Sequence, residues 1–532
     1  MNALPRHETE RRGFDMFFLV AAGGSAVLVY CAMLLRLPLL TIYMLRLKNL
    51  NQMPAADWTT GLLIVGCIVL LFAGYAVGMN SIATMHQPGR AWAPIIGFPI
   101  VFVAVLMLVF PITSTDIYDY LFRGRMLAHY GANPFASTPK AFQNDPLLPY
   151  VAWQEAVTAY GPLWEYLSGS LAWLLGETPG AAAAANALLL RYLLGYKAVA
   201  ILGYLLCGTA IWCALRNTAP NYRWVGLYLW MWNPLVLWET AAAGHNDAWM
   251  TLCVAVAIWF FERGALSHSR TRRGYLISGA LALLALTVGG LIKFITFFFG
   301  PVMLAAALRR LPNRRERWQL LILSASLCAA LVVVAYAPFW GGGAALQNIG
   351  NRRTMFTGSW IAALRPLLAH LVPPESAQTI ASGGGMLLLL LGTGWASWRA
   401  WRAPAAVTRH ILWLAMWFLF VCNPWFQPWY AIWLVGLAAL MPWRSRAVLS
   451  VGMFCCTALM SYVVDGLILP ALGLADASFG RESLLSAFIY LPALLVLIWG
   501  ERRGGQLDAA RHESQPVDHA HPAATEPANE LG

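Results

Sequence analysis

Apolar segments long enough to cross a lipid bilayer recur along almost the whole chain. A transmembrane helix needs about 20 consecutive apolar residues, because the hydrocarbon core of a bilayer is about 30 Å thick. The pattern therefore predicts an all-α polytopic membrane helix bundle of about 13–14 spans. The apolar segments are residues 15–36, 59–79, 92–111, 188–215, 224–241, 247–262, 275–289, 293–308, 318–338, 383–398, 410–422, 428–441, 447–467 and 484–500.

The scarcity of charged residues supports a membrane location. Charged residues make up 11% of the chain, whereas a soluble domain carries about 25%. The net charge of +12 comes mostly from arginine clusters between apolar segments, which is typical of cytoplasmic anchors and not of nucleic-acid binding. We therefore predict membrane lipid, and no nucleic acid, among the partners. All nine cysteines lie in or beside apolar segments, so we predict no disulfide and no metal site from them.

The arginine clusters share one side of the membrane if the N-terminus is inside. On this topology we expect two extracytoplasmic loops with interfacial helices, a catalytic loop at 112–187 and a second loop at 339–382. The other expected segments are a cytoplasmic N-terminus (1–14), the first three transmembrane helices (15–111), further transmembrane helices (188–338 and 383–500) and a disordered cytoplasmic tail (501–532).

The first polar loop opens with STDIYDYLFRGRMLAHYGANPF, residues 114–135. Asp116, Asp119 and Arg123 are spaced to share one face of a helix, and Asp119 and Arg123 are also spaced as an i,i+4 ion pair. One interpretation is that Asp116 caps the helix while the arginines anchor it to headgroups. The other is that a partly desolvated carboxylate near arginines is held ionised as a general base. The local pattern leaves both open. Substrate-binding candidates in the loop are Asp119, Tyr120, Arg123, Arg125, Asn133 and Tyr160.

A second polar cluster occurs in WNPLVLWETAAAGHNDAWM. Ionisable residues at membrane depth are costly, so such a cluster is a functional candidate. The alternative is that Asn246 or Asp247 simply caps the next helix. Glu239, His245 and Asp247 are more polar residues than capping requires. We therefore favour a substrate-binding role for these three residues and for Asn246.

Cations and aromatic rings supply the remaining candidates. Lys293 in GGLIKFITFFFGP is expected either to snorkel to the interface or to bind a phosphate. Arg352 and Arg353 fall on the outer face against the positive-inside trend, which indicates an anion such as phosphate. Trp429 and Tyr430 in NPWFQPWY suit a sugar face or a prenyl chain, but they suit an aromatic belt equally.

Taken together, these stretches resemble the GT-C class of integral-membrane glycosyltransferases. The likeness is to polyprenyl-phosphate-mannose-dependent α-mannosyltransferases and the neighbouring GT87-type family. It rests on DIYDY with GRMLAHYGANPF, then YGPLW, NPLVLWETAAAGHND, the lysine segment ending in GP, and PWFQPWY, in that order along the chain. The sequence departs from the expected pattern in having two extra apolar spans before the first loop.

The resemblance implies an inverting hexosyl transfer, with mannose as the expected sugar, from a polyprenyl-phosphate donor to a glycan or glycolipid acceptor. The reaction would occur on the extracytoplasmic face of a bacterial plasma (inner) membrane, and the matching position for the catalytic base is Asp116. Arg352, Arg353, Lys293 or His245 would stabilise the leaving phosphate. We expect no cofactor; a divalent metal is possible but not required.

Two alternatives to an enzyme remain at this stage. A transporter or flippase of a lipid-linked sugar would usually show two similar halves with broken helices at matching places, and we find no such halves. A non-catalytic subunit of an envelope complex would tolerate replacement of Asp116. No Walker A or HExxH pattern is present, so we expect a substrate that is already activated and carried in the membrane.

Overall fold

The computed structural model describes residues 6–46, 58–177, 182–266, 272–341, 355–474 and 478–499. Within these ranges the regular structure is helical, and β pairing is limited to the two isolated bridges Pro38–Val109 and Thr357–Trp425. The predicted all-α membrane bundle is thus confirmed. The predicted tail, 501–532, lies outside the described residues. α1 begins at Arg6, within the segment expected to precede the first span.

The main helices follow one another along the chain with short turns between most of them. They are α1 (Arg6–Arg36), α2 (Trp58–Thr84), α3 (Trp92–Met107), α4 (Asp116–Ala128), α5 (Pro162–Leu175), α6 (Ala182–Thr218), α7 (Arg223–Met231), α8 (Pro234–Leu237), α9 (Asp247–Leu266), α10 (Arg272–Gly290), α11 (Phe299–Arg310), α12 (Arg314–Tyr336), α13 (Trp360–Leu368), α14 (Pro374–Arg402), α15 (Val407–Trp417), α16 (Ala431–Ala438), α17 (Arg446–Val463) and α18 (Phe479–Trp499).

Ten helical segments in the described ranges are long and apolar enough to cross a membrane. The four other predicted segments, beginning near residues 224, 247, 293 and 428, are also helical, but they are shorter, interrupted or more polar. The ten are Phe14–Arg36, Trp58–Thr84, Pro88–Met107, Ala185–Arg216, Arg273–Gly290, Arg314–Phe339, Pro374–Arg402, Pro404–Cys422, Arg446–Ala471 and Phe479–Trp499.

One interruption has a clear local cause at Asn233 and Pro234. The Asn233 side chain caps α8 by accepting hydrogen bonds from the backbone N–H groups of Leu235 and Val236, at 3.0 and 3.2 Å. Pro234 occupies the first helical position, where its missing N–H costs nothing. α8 then widens into a π-helical turn at Trp238–Ala242. This break turns Glu239 and the following residues out of a regular span.

Three helices in the predicted outer loops are too short to cross. α4, α5 and α13 contain 13, 14 and 9 residues, whereas a transmembrane helix requires about 20 residues. Trp173 and Leu174 on α5, and Leu364 and Leu367 on α13, are exposed. The expected interfacial position of these helices agrees with their exposed apolar side chains and stays a prediction.

A buried lysine joins α6 to the C-terminal end of α3. The Lys197 side chain of α6 is fully buried. Its ammonium group donates to the backbone carbonyls of Leu106 and Val109 at 3.2 and 2.5 Å. Carbonyls at the C-terminal end of a helix lack intrahelical partners, and a cation there also complements the helix dipole. Lys197 therefore fixes the end of α3, from which the chain enters α4.

Two glycines bring separate segments into backbone contact around α4 and α5. Gly161 packs directly on the backbone of Leu291. Its N–H donates to the Ile292 carbonyl at 3.0 Å, and the Leu163 N–H donates to the Leu291 carbonyl at 3.0 Å. Gly244 has a positive φ of 80° and lies against Ile117. These contacts bring the first polar loop, the GHND turn and the lysine segment together.

Candidate active site

Asp116 begins α4, and its carboxylate binds a tyrosine rather than the helix end. The helix cap is Thr115, which makes no side-chain capping hydrogen bond. The Asp116 backbone N–H donates to Ser114 Oγ at 3.1 Å, and Tyr160 Oη donates to Asp116 Oδ2 at 3.0 Å. The half-buried carboxylate makes no capping hydrogen bond. The interpretation that Asp116 caps the helix requires such a bond and does not agree with the structure.

The surroundings of Asp116 act on its acidity in opposite directions. Burial raises the pKa of the Asp116 carboxyl, while the nearby charges of His245 and Lys293 and the Tyr160 hydrogen bond lower it. The net effect is a pKa above the ordinary aspartate value. An ionised Asp116 is consequently a stronger base than an exposed aspartate.

Tyr160 and Tyr120 stand together beside this carboxylate. Their hydroxyl oxygens are 3.3 Å apart, and their rings meet edge to face with centroids 5.0 Å apart. Tyr120 also packs edge to face on Trp164, at 5.1 Å. The aromatic contacts hold the Tyr160 hydroxyl in place, and Gly161 next to it is fixed to the lysine segment.

Asp119 and Arg123 form the ion pair that their spacing indicates. Arg123 Nε and Nη2 donate to the two carboxylate oxygens of Asp119 at 2.8 and 3.0 Å, and both side chains are buried. Arg123 Nη2 also donates to the Ala156 carbonyl at 3.0 Å. The pair therefore joins α4 to the loop before α5. Their predicted substrate contacts stay a prediction.

Arg125 and Asn133 also use their polar atoms in contacts within the protein. Arg125 Nη2 donates to Asp145 and to Glu177, each at 2.8 Å. Asn133 Nδ2 donates to the Phe339 carbonyl at 2.8 Å, and Asn133 Oδ1 accepts from the Phe135 N–H at 2.9 Å. The structure thus gives these two candidates contacts that stabilise the loop and does not bring them into contact with Asp116.

Glu239 and His245 form a buried dyad in the second polar cluster. His245 Nδ1 lies 3.0 Å from Glu239 Oε2, and both side chains are fully buried. Tyr462 Oη donates to Glu239 Oε1 at 3.0 Å. The imidazole stacks on Trp429 with centroids 4.1 Å apart. His245 Nε2 has no partner among the described residues, so a positioned imidazole nitrogen remains available in the site.

Lys293 pairs with Asp247, 46 positions away along the chain. Its Nζ lies 2.7 and 2.8 Å from the two carboxylate oxygens, and Trp433 Nε1 donates to Asp247 Oδ1 at 2.6 Å. Lys293 also faces the rings of Tyr430 and Tyr160, at 5.1 and 5.9 Å. Neither expected role of Lys293, snorkelling or lone phosphate binding, anticipated this pair. A buried carboxylate needs such a partner.

The Asn246 side chain has no hydrogen-bond partner among the described residues. The side chain is fully buried, yet its carboxamide oxygen and nitrogen make no hydrogen bond with any described residue. Buried polar atoms are almost always hydrogen-bonded, to protein, water or ligand. The carboxamide therefore has both donor and acceptor capacity for a bound hydroxyl.

The arginine pair Arg352 and Arg353 lies outside the described residues, so its predicted phosphate contact stays a prediction. The described chain resumes just beyond it. There the Thr357 N–H donates to the Pro424 carbonyl at 3.1 Å, and the Phe426 N–H donates to the Thr357 carbonyl at 3.0 Å. The second loop is thus attached to the NPWFQPWY segment that carries Trp429 and Tyr430.

A narrow apolar cleft adjoins the polar residues. It is lined mainly by aliphatic side chains of α1, α2 and α17, with Thr113, Trp238 and Tyr462 at its polar edge. Trp238 Nε1 donates to Thr113 Oγ1 at 3.2 Å, and Tyr462 also contacts Glu239. Thr113, Trp238 and Tyr462 therefore border both the apolar cleft and the polar cluster, and Thr113 is three residues from Asp116.

The first part of the chain matches a known family. Residues 13–309 match the family described as Alpha-(1->6)-mannopyranosyltransferase, N-terminal domain. This match spans more than half of the chain and includes Asp116, Tyr160, Glu239 and Lys293. The chain belongs to this family.

Curated relatives cover most of the chain at low identity. Alpha-(1->6)-mannopyranosyltransferase B of Corynebacterium glutamicum is 23% identical over 466 residues, which are 81% of this chain and 70% of that protein. Alpha-(1->6)-mannopyranosyltransferase A of Mycobacterium tuberculosis is 22% identical over 440 residues, or 76% and 75% of the two chains. No solved structure matches the chain.

Family membership confirms the predicted resemblance to GT-C mannosyltransferases and the prediction of an enzyme, a membrane glycosyltransferase. Among the described residues no group of three or more His, Cys, Asp or Glu side chains could hold a metal ion; the expectation that no cofactor is required stays a prediction. Sequence reasoning missed Tyr462, a tyrosine inside the apolar segment 447–467, although Asp465 lies three residues further along. Lys197 was missed as well, although a lone lysine in an apolar span could have drawn attention to it.

Proposed function

We propose that this family member transfers mannose from a polyprenyl-phosphate donor to a hydroxyl of a glycan or glycolipid, on the extracytoplasmic side of a bacterial plasma membrane. The observation that carries the proposal is the position of Asp116. Its carboxylate accepts a hydrogen bond from Tyr160, whose ring also faces Lys293, a few residues from an apolar cleft. A donor with a charged head and a hydrocarbon tail needs both environments. The curated relatives are named for an α-(1->6) linkage, and we propose the same linkage here.

Asp116 serves as the general base in this proposal. It accepts the proton of the acceptor hydroxyl while the hydroxyl oxygen attacks the anomeric carbon from the face opposite the phosphate. The bond from the anomeric carbon to the phosphate oxygen breaks, and the polyprenyl phosphate leaves with the electron pair. The configuration inverts, so a β-linked donor yields an α-linked product. Tyr160 holds the carboxylate in position throughout.

The leaving phosphate gains negative charge that the site must stabilise. His245 is suited to this task because Glu239 and Trp429 fix its ring while Nε2 remains unbonded. Lys293 stabilises the phosphate through its electrostatic field and not by direct contact, because its ammonium group is already paired with Asp247. Preorganised charges of this kind act most strongly where water is excluded. Arg352 and Arg353 are proposed as further phosphate ligands.

The test is transfer of radiolabelled mannose by the purified protein in nanodiscs, from polyprenyl-phosphate mannose to an extract of envelope glycolipids. Asp116→Asn should lower the transfer rate by about 10²–10⁴-fold, the usual loss on removing a general base, and should still bind donor. Glu155→Gln is the matched control. Glu155 is an exposed carboxylate of the same loop, paired with Lys140, and its loss should leave transfer unchanged.

Normal transfer by Asp116→Asn would refute the catalytic assignment. If wild type moves no label from either mannose or glucose donors, the donor assignment fails. Translocation of a lipid-linked sugar across vesicles would then be the activity to measure.

A further inference from the structure

A polar cleft lies at the end of the bundle opposite Asp116. It has a volume of about 460 Å³ and is bounded by the C-terminal end of α2, the turn before α3 and the start of α7. Its polar side chains are His86, Gln87, Asn221 and Arg223, and none of its lining residues is Asp or Glu. The mannosyl-transfer site uses none of these residues. The cleft is thus a separate pocket with a positive charge and no carboxylate.

Arg223 is held in this cleft by aromatic rings. Its guanidinium carbon lies 4.8 Å from the ring centroid of Trp212 and 5.9 Å from that of Trp224. The two indoles are themselves in edge-to-face contact, at 4.2 Å. Stacking on indole fixes the plane of a guanidinium while leaving its N–H donors unused.

Those donors lack an acceptor in the described part of the chain. Arg223 Nε is buried without a hydrogen-bond partner, and no described carboxylate forms an ion pair with Arg223. Arg123 and Arg125, in contrast, each make paired hydrogen bonds to an aspartate. A buried guanidinium N–H without an acceptor is costly. Arg223 as a whole is only half-buried, so its other N–H groups can donate to an anion that is not part of the described protein.

The adjacent backbone favours the same charge. α7 begins at Arg223, and its cap residue, Tyr222, makes no side-chain capping hydrogen bond. The first N–H groups of a helix lack intrahelical acceptors, and the dipole adds positive potential there. Stacked guanidinium, histidine and helix start together match a phosphate, which offers several strong acceptors.

The helices next to the cleft indicate the source of the phosphate. Trp92 directly follows the turn that lines the cleft and has 58% of its surface exposed, and Val77, within the last two turns of α2, has 45%. Exposed rings beside aliphatic surface at the end of a span are typical of the headgroup region. We propose that this cleft binds the phosphate group of an anionic phospholipid, with Arg223 as the main ligand. The proposal is independent of the proposed mannosyl transfer.

Retention of lipid by the delipidated, purified protein tests this assignment. Wild type, Arg223→Gln and Arg90→Gln are incubated with phosphatidylglycerol, phosphatidylcholine or inorganic phosphate, and bound lipid is counted by native mass spectrometry. Arg90 is the matched control, because it is an exposed arginine of the neighbouring turn that does not line the cleft. Arg223→Gln should retain about tenfold less phosphatidylglycerol than either other protein, the usual effect of losing a charge-assisted hydrogen bond.

Phosphatidylcholine retention should be low and equal in all three proteins. Equal retention of phosphatidylglycerol by all three proteins would overturn the proposal. Thermal protection by inorganic phosphate, without selective retention of lipid, would overturn the lipid assignment and leave a free-anion site. If Arg223→Gln does not fold, the His86→Ala, Asn221→Ala double variant replaces it, with retention again expected to fall below that of Arg90→Gln.

Discussion

Asp116 depends on one hydrogen bond for part of its acidity, and this dependence gives a pH prediction. A hydrogen bond to the ionised carboxylate lowers the pKa of Asp116. Tyr160→Phe removes it, so the pKa rises further and less base is ionised at a given pH. The acid limb of the kcat/KM profile should therefore move to higher pH in the variant. Rates measured across the acid range would show the shift.

Tyr130→Phe is the control for this profile. Tyr130 is a tyrosine of the same loop whose hydroxyl donates to Asp145 at 2.8 Å rather than to Asp116. Its removal should leave the acid limb in place. An unchanged limb in Tyr160→Phe would mean that Asp116 does not limit the rate.

Replacing Asn246 should lower activity, whereas replacing Asn233 should lower stability. The Asn246 carboxamide makes no hydrogen bond with the described protein, so Asn246→Ala should leave the melting temperature nearly unchanged. If the carboxamide binds a substrate hydroxyl, kcat/KM should fall by about 10- to 100-fold, since one buried hydrogen bond is worth about 1–3 kcal/mol. Asn233→Ala removes the α8 cap instead and should cost about 1 kcal/mol of stability.

Paired activity assays and thermal melts distinguish these outcomes. A large stability loss with Asn246→Ala would show that its amide is bonded within the protein. Full activity in a stably folded Asn246→Ala would show that it does not contact substrate.

At the scale of elements, the contact between the start of α5 and the lysine segment should be sensitive to one methyl group. A Cβ on Gly161 would collide with the Leu291 backbone, which cannot rotate away as a side chain could. Gly161→Ala should therefore destabilise the protein by about 1–3 kcal/mol and displace Tyr160 from Asp116, with loss of transfer. Gly66→Ala, in α2 with open space around it, is the control and should be harmless.

Melting curves and transfer rates of the two alanine variants provide the check. Wild-type behaviour of Gly161→Ala would contradict the close packing at Leu291.

The whole molecule makes a prediction about sidedness. Lys140 is exposed in the loop that carries Asp116, whereas Arg90 lies at the opposite end of the bundle. Lys140→Cys should react with a membrane-impermeant maleimide in intact cells, and Arg90→Cys only after permeabilisation. Wild type is the blank, because its described cysteines are buried or half-buried. The reverse labelling would place Asp116 on the cytoplasmic side.

The ten long spans in the described residues were predictable because each depends on a local apolar run. The Asp119–Arg123 pair was predictable for the same reason, since a helix places residues four positions apart side by side. The Lys293–Asp247 and Tyr462–Glu239 contacts join residues 46 and 223 positions apart. Each polar group had several possible partners, and a single sequence does not rank them. The apolar cleft was equally hidden, because its aliphatic residues look like those of any span.

The backbone bonds from Gly161 and Leu163 to the lysine segment have a consequence for recombination between relatives. The loop with Asp116 and the segment with Lys293 form one mechanical unit, although over a hundred residues separate Gly161 from Leu291. A chimaera with a crossover between them would combine the loop of one parent with the Leu291–Ile292 backbone of the other, to which the loop must hydrogen-bond. Functional chimaeras should therefore inherit both pieces from the same parent, and a donor-specificity graft restricted to the loop should fail unless residues 289–293 travel with it.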